Sequence, residues 1–248
     1  MNLAPTDPLA VRLVAAVRSG ALGELARLLD EQPELADARI AGRRGGWRTP
    51  LHVVTDWPGY FPNGPAVVRL LIEAGADPSA PSDDGPSETP LHWAASSDDA
   101  EVAVALIEGG ADIEALGGSI AGGGPLANAV GYGCWHVARL LVARGARVDS
   151  LWQAAALGML EHVLERLAAD PSPTQQELDA AFWQACHGGQ LRMAQSLLAR
   201  GADIGAKPDY TDQTAVEIAG STDTRREQLV IWLRERGAAS AEGPASEQ

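Results

Sequence analysis

The chain has 248 residues, 46% of them apolar, and a formal net charge of −14 with a pI near 4.7. That charge argues against nucleic acid, because phosphate binding needs clustered cations, and it disfavours an anionic membrane surface. No window offers the ~20 apolar residues of a membrane span, and two cysteines, Cys134 and Cys186, cannot build a disulfide framework.

The N-terminus sets Asp7 and Pro8 before an amphipathic helix, with no basic stretch or long apolar core, so no signal peptide is expected and the expected location is cytoplasmic. From there one set of motifs recurs. Thr49-Pro-Leu-His52 leads to Leu70-Leu-Ile-Glu-Ala-Gly-Ala-Asp77, and Thr89-Pro-Leu-His-Trp-Ala-Ala95 leads to Leu106-Ile-Glu-Gly-Gly-Ala-Asp112. The ending returns in Leu140-Leu-Val-Ala-Arg-Gly-Ala146, Leu197-Leu-Ala-Arg-Gly-Ala-Asp203 and Leu233-Arg-Glu-Arg-Gly-Ala238. Gly75, Gly110 and Gly145 are 35 positions apart, near the ankyrin period of about 33. On these residues the chain resembles the ankyrin-repeat family over nearly its whole length.

The resemblance implies an all-α fold: one ankyrin-repeat solenoid over residues 7–238, of about seven helix pairs with short β-hairpin fingers and two capping units. Aligned on their leucines and closing glycines, the units fall at about 7–39, 49–77, 89–112, 124–146, 150–170, 176–203 and 213–238. The first lacks Thr-Pro-Leu-His and carries more charge, as a cap with one face in water should. The fifth keeps the helix pair without a Gly-Ala-Asp ending. Residues 239–248 are too polar to order themselves. Within a unit, Thr-Pro supplies a helix cap and a first residue that needs no donated N–H. Leu and the Ala pair face the neighbouring unit, and glycine ends the outer helix. Ser150 with Gln153, and Thr174 with Glu177, have capping-box spacing.

Three irregularities interrupt the pattern. Leu51 to Gly75 spans 24 positions, whereas Leu91 to Gly110 and Leu126 to Gly145 each span 19. The second unit therefore carries five extra residues between its helices, within residues 56–64. The turn at Val148-Asp-Ser150 is too short for a projecting hairpin, and the glycine-rich residues 117–124 read as a flexible finger.

The insert is the leading site candidate. It gathers Asp56, Trp57, Tyr60 and Phe61 with prolines and glycines where the repeat requires nothing. Aromatics on a stiff loop make binding anchors; the competing reading folds them onto their own helix pair as accessory core. Ser97 and Asp98 follow the Ala pair of the third unit, at positions that ankyrin proteins tend to turn toward the concave groove. Asp98 also replaces the usual glycine. Tyr132 and Trp135 of the fourth unit extend the same acidic and aromatic patch. His52 and His92 are read as structural, bonded to the local turn and backbone, and His136 and His162 as solvated. Trp93 is read as core, and Trp152, Trp183 and His187 as filling degenerate hairpins. No His/Cys spacing fits a metal, and neither a dinucleotide fingerprint nor a phosphate-loop lysine is present, so no metal or cofactor is expected.

Two functions of different class follow. The first is an adaptor that recognises a protein partner through its concave face and the 56–64 insert, steered by acidity toward basic or polar residues. The second is a small-molecule binder or acid–base enzyme of cyclase or isomerase type, with a pocket under the insert and Asp56, Asp98 and Tyr132 converging. No nucleophile–base motif supports the second, and no catalytic residue is assigned.

Overall fold

A computed structural model describes residues 1–42, 45–83, 85–221 and 227–238; the polar tail at 239–248 lies outside the described residues. Fourteen α-helices and one small sheet are present among them. They divide into two compact units, Met1–Arg147 and Val148–Gln248.

The first unit holds four helix pairs: α1 (Pro8–Ser19) with α2 (Leu22–Glu31), α3 (Pro50–Thr55) with α4 (Gly64–Glu73), α5 (Pro90–Ser96) with α6 (Ala100–Glu108), and α7 (Pro125–Gly131) with α8 (Trp135–Ala143). Strand pairing among the described residues is confined to its start. There β1 (Asn2–Leu3) lies parallel to β2 (Arg39–Ala41), which pairs antiparallel with β3 (Trp47–Arg48). The second unit holds α9 (Leu151–Ala156), α10 (Leu160–Ala168), α11 (Gln175–His187), α12 (Leu191–Leu198), α13 (Ala215–Ala219) and α14 (Glu227–Glu235).

These helices are short, five to thirteen residues, and too short to persist alone in water. Shared burial makes up the difference. Leu51, Leu91 and Leu141 are fully buried, and the small Ala94 and Ala95 let neighbouring helices approach. In the second unit, Phe182, Leu197, Leu229 and Leu233 form the corresponding core, with Trp183 inside it.

The helix starts explain the repeated Thr-Pro-Leu-His. The Thr49 N–H donates to His52 Nδ1 at 3.2 Å, so the ring proton sits on Nε2 and donates to the Glu88 carbonyl at 3.0 Å. His92 repeats the arrangement, with Thr89 N–H at 3.1 Å and the Gly123 carbonyl at 3.2 Å. Each histidine thus caps its own helix and pins the chain that enters the next unit. Trp93 is only half-buried, edge-on to the His52 ring at 4.9 Å.

The glycine-rich segment 117–124 is not a free finger. Gly117 and Gly118 N–H donate to the Gly122 and Gly123 carbonyls at 3.1 and 2.8 Å, and Ser119 N–H reaches Glu88 Oε1 at 2.8 Å. Glycine is needed for closeness here: a Cβ at Gly118 would stand 2.6 Å from Asn128 Oδ1 and 2.9 Å from the His92 ring.

Burial holds His52 neutral and lowers its pKa from 6.5 to about 4, against the opposing hydrogen bond to Glu88; burial lowers His92 as well. In the unfolded chain both titrate near 6.5. Between the two values the unfolded state binds more protons, so stability is full above about pH 6.5 and falls as pH drops toward about 4. From pH 7 to 5 the His52 contribution alone should cost about 2 kcal/mol. Urea titrations of the wild type and His52→Gln at both pH values check this: the variant should lose that much less on acidification.

Candidate functional site

The insert between α3 and α4 is fastened to both neighbouring helix pairs. Asp56, at the C-terminus of α3, is paired with Arg18 at 2.6 Å and Arg48 at 2.9 Å. Gly59 N–H closes a turn on the Asp56 carbonyl at 2.8 Å. Tyr60 then takes φ +57°, and its N–H donates to Asp99 Oδ2 at 2.7 Å. Its phenol donates to the Asp98 carbonyl at 2.6 Å, and burial, followed by the charges of Asp98 and Asp99, raises its pKa, which keeps that proton in place. On the other side Asn63 Nδ2 donates to the Gly20 carbonyl at 3.0 Å, and Pro62 lies so close that Gly20 has no room for a Cβ.

The side chains go the other way. Trp57 is 79% exposed and Tyr60 66%. Phe61 alone is half-buried, with the Arg18 guanidinium 5.7 Å from its ring centre. The accessory-core reading therefore fits Phe61 and fails for Trp57 and Tyr60. An indole left in water forgoes on the order of 4 kcal/mol of burial, which makes its exposure on an anchored loop informative.

Ser97 and Asp98 occupy the tight turn between α5 and α6, beside the insert. Ser97 Oγ bonds back to the Trp93 carbonyl at 3.0 Å. Asp98 holds φ +56°, and its carboxylate is used within the fold: Oδ1 accepts from Val137 N–H at 2.9 Å and Oδ2 meets His136 Nδ1 at 2.6 Å. It caps the N-terminus of α8, where a carboxylate is favoured by the orphan N–H groups and the helix dipole. This corrects one expectation: Asp98 is an inter-repeat cap rather than a free groove contact. His136 is exposed, as expected, and its ring meets that carboxylate. Trp135, the first residue of α8, is half-buried beside them.

Tyr132 is 52% exposed, and its phenol lies 3.1 Å from Ser119 Oγ. It borders a polar network that sequence reasoning missed. Asn128, fully buried, donates to Glu88 Oε1 at 2.6 Å and to Ser96 Oγ at 3.2 Å. A polar residue at 128, where the preceding repeat has Trp93, is the signal that could have found it.

The structure thus joins Tyr60, Asp98 and the first turn of α8 through hydrogen bonds, with Ser97 packed against Gly59 of the insert. It does not join the proposed acid–base set. Asp56 serves two arginines, Asp98 a helix terminus and Tyr132 the glycine-rich segment. The cleft beside the insert, about 480 Å³ and lined by Tyr60, Phe61, Arg69, Asp99 and Glu101, is open to solvent. Asp99 there is committed to Tyr60 and Val102 N–H.

Residues 59–150 match the family described as ankyrin repeats (3 copies). The B-cell lymphoma 3 protein homolog of Mus musculus is 28% identical over 217 residues, covering 81% of this chain and 45% of its own length. The chain therefore spans less than half the length of that curated relative. Among solved structures, the human ASB11 ankyrin repeat domain covers 94% of this chain and 99% of its own, with 21% identity and a TM-score of 0.53; that likeness is one of fold. Residues 59–150 thus match ankyrin repeats, and the fold of the chain is like that of a solved ankyrin-repeat domain.

The double role of residue 98 is testable. Asp98→Gly loses the α8 cap, at about 1 kcal/mol. Asp98→Ala loses the cap and must also hold a left-handed backbone, at about 1–2 kcal/mol more. Urea denaturation of both variants should rank them in that order; equal losses would mean that the backbone at 98 carries no such constraint.

Proposed function

We propose that the chain is a cytoplasmic adaptor that binds a protein partner along the edge formed by the 56–64 insert and the turns of the two following repeats. Ankyrin repeats generally mediate protein–protein interaction. The observation that carries this reading is the contrast within the insert: backbone fixed to both neighbours, Trp57 and Tyr60 rings left in solvent. A loop ordered before binding loses little entropy on association. Trp57 and Tyr60 act as anchors, Tyr132 and Trp135 extend the contact toward the groove, and Asp56, Phe61, Ser97 and Asp98 hold the anchors in position. The net charge of −14 steers basic partners toward this surface. The openness of the cleft beside the insert favours a protruding side chain over an enclosed small molecule.

Photo-crosslinking locates the contact. With p-benzoylphenylalanine at position 57, the native lysate should yield a discrete adduct that is absent with the same group at the exposed position 11. Trp57→Ala should weaken binding of the identified partner by about 2 kcal/mol or more while the melting temperature holds. Equal adducts at both positions, or full affinity in the variant, would remove the insert from the interface.

A further inference from the structure

The second unit departs from the repeat in its own way. Helix α11 has 13 residues, where α3 and α9 have six and α5 and α7 have seven. Its cap, Thr174, stands nine positions before Trp183, whereas Thr89 stands three before His92 at the equivalent place. The extra residues add roughly 9 Å of helix at the usual rise. The chain at 206–210 runs beside this extension, and together they line a cleft of about 430 Å³.

That chain is tied to α11 at two points. Trp183 Nε1 donates to the Gln213 carbonyl at 2.9 Å, and Gln184 Nε2 donates to the Tyr210 phenol oxygen at 3.0 Å. Gln184 is itself buried, with Oε1 facing His187 Nδ1 at 3.3 Å. The Tyr210 ring stands edge-on to Trp183, centroids 6.0 Å apart at 87°. One edge of Tyr210 is therefore held by buried groups, while 70% of the residue remains exposed. It is a fixed aromatic plate at the cleft. Beside it lie the Asp179 and Asp209 carboxylates and Lys207, the chain's single lysine. Asp179 accepts from Gln175 Nε2 at 2.8 Å and Asp203 N–H at 2.7 Å, both neutral donors. Among the described residues, neither Asp179 nor Asp209 has a cation at salt-bridge distance.

We propose that this cleft is a second binding site, separate from the insert, which takes one arginine or lysine side chain from an extended segment of a protein partner. An aromatic face attracts a cation, and two carboxylates against one ammonium leave a charge for one cation to neutralise. Ala180 and Pro208 offer apolar contact to the stem of such a side chain.

The chain has three tyrosines, Tyr60, Tyr132 and Tyr210, so fluorine NMR of the protein carrying 3-fluorotyrosine resolves each place separately once Tyr→Phe variants assign the signals. The probe is a blocked peptide of alternating glycine and arginine, compared with its glycine–glutamate counterpart and with free arginine amide. The Tyr210 signal should shift saturably with the arginine peptide, and Asp209→Asn should weaken that binding about fivefold or more at unchanged melting temperature. An unmoved Tyr210 signal, an equal response to the glutamate peptide, or equal affinity in Asp209→Asn overturns the proposal. So does free arginine amide binding as well as the peptide. A shift of the Tyr60 signal alone bears on the insert and also counts against this site.

Discussion

A pair of helices six to ten residues long has no interior of its own, so each repeat must borrow half of its core and part of its hydrogen bonding from the next. The bonds that cross from unit to unit show how the debt is met. His52 and His92 each cap one helix and hold the backbone that leads to the following one. Asp98 reaches 39 positions ahead to cap α8. The insert uses the same economy: Tyr60 closes on Asp99 of the next repeat and Asn63 on Gly20 of the preceding one. A loop that would otherwise be the loosest segment of the chain becomes part of the bonding between repeats.

This accounts for what could be read from the sequence. The helix pairs were legible because their determinants are local: Thr-Pro starts, a closing glycine, and capping boxes such as Thr174 with Glu177, present in the structure at 2.8 Å. The insert was legible as a count, 24 positions against 19. What resisted reading depends mostly on partners 31 to 40 positions away. The glycines at 117–124 suggest freedom until Glu88 and Asn128 are seen to hold the segment. Asp98 looks like an available carboxylate until Val137 and His136 occupy it. Exposure was also out of reach, since Trp57 and Phe61 look alike in sequence while one is in solvent and the other half-buried. The start of α11 was marked by that capping box, but its excess length shows only beside the six- and seven-residue helices α3, α5, α7 and α9.

Two kinds of chemistry emerge, each within its own compact unit. The insert edge offers aromatic rings held by the bonding between repeats, and its carboxylates are largely spent on that bonding. The α11 cleft offers one aromatic ring held by a buried amide, and among the described residues its carboxylates have no cation at salt-bridge distance. The first arrangement rewards an apolar or aromatic contact; the second rewards charge. High salt should separate them, because screening weakens exposed charge pairs more than apolar contact.

The central claim is that the insert is ordered before any partner arrives. Native-state hydrogen exchange of the free protein addresses it directly at the amides of Gly59, Tyr60 and Gly64, each of which is hydrogen-bonded. The account predicts that these amides are protected to the level of the flanking helices α3 and α4, because the loop can open only by breaking its bonds to both neighbours. Exchange at the rate of an unstructured chain would contradict it and would leave Trp57 on a loop that must be ordered at the expense of binding.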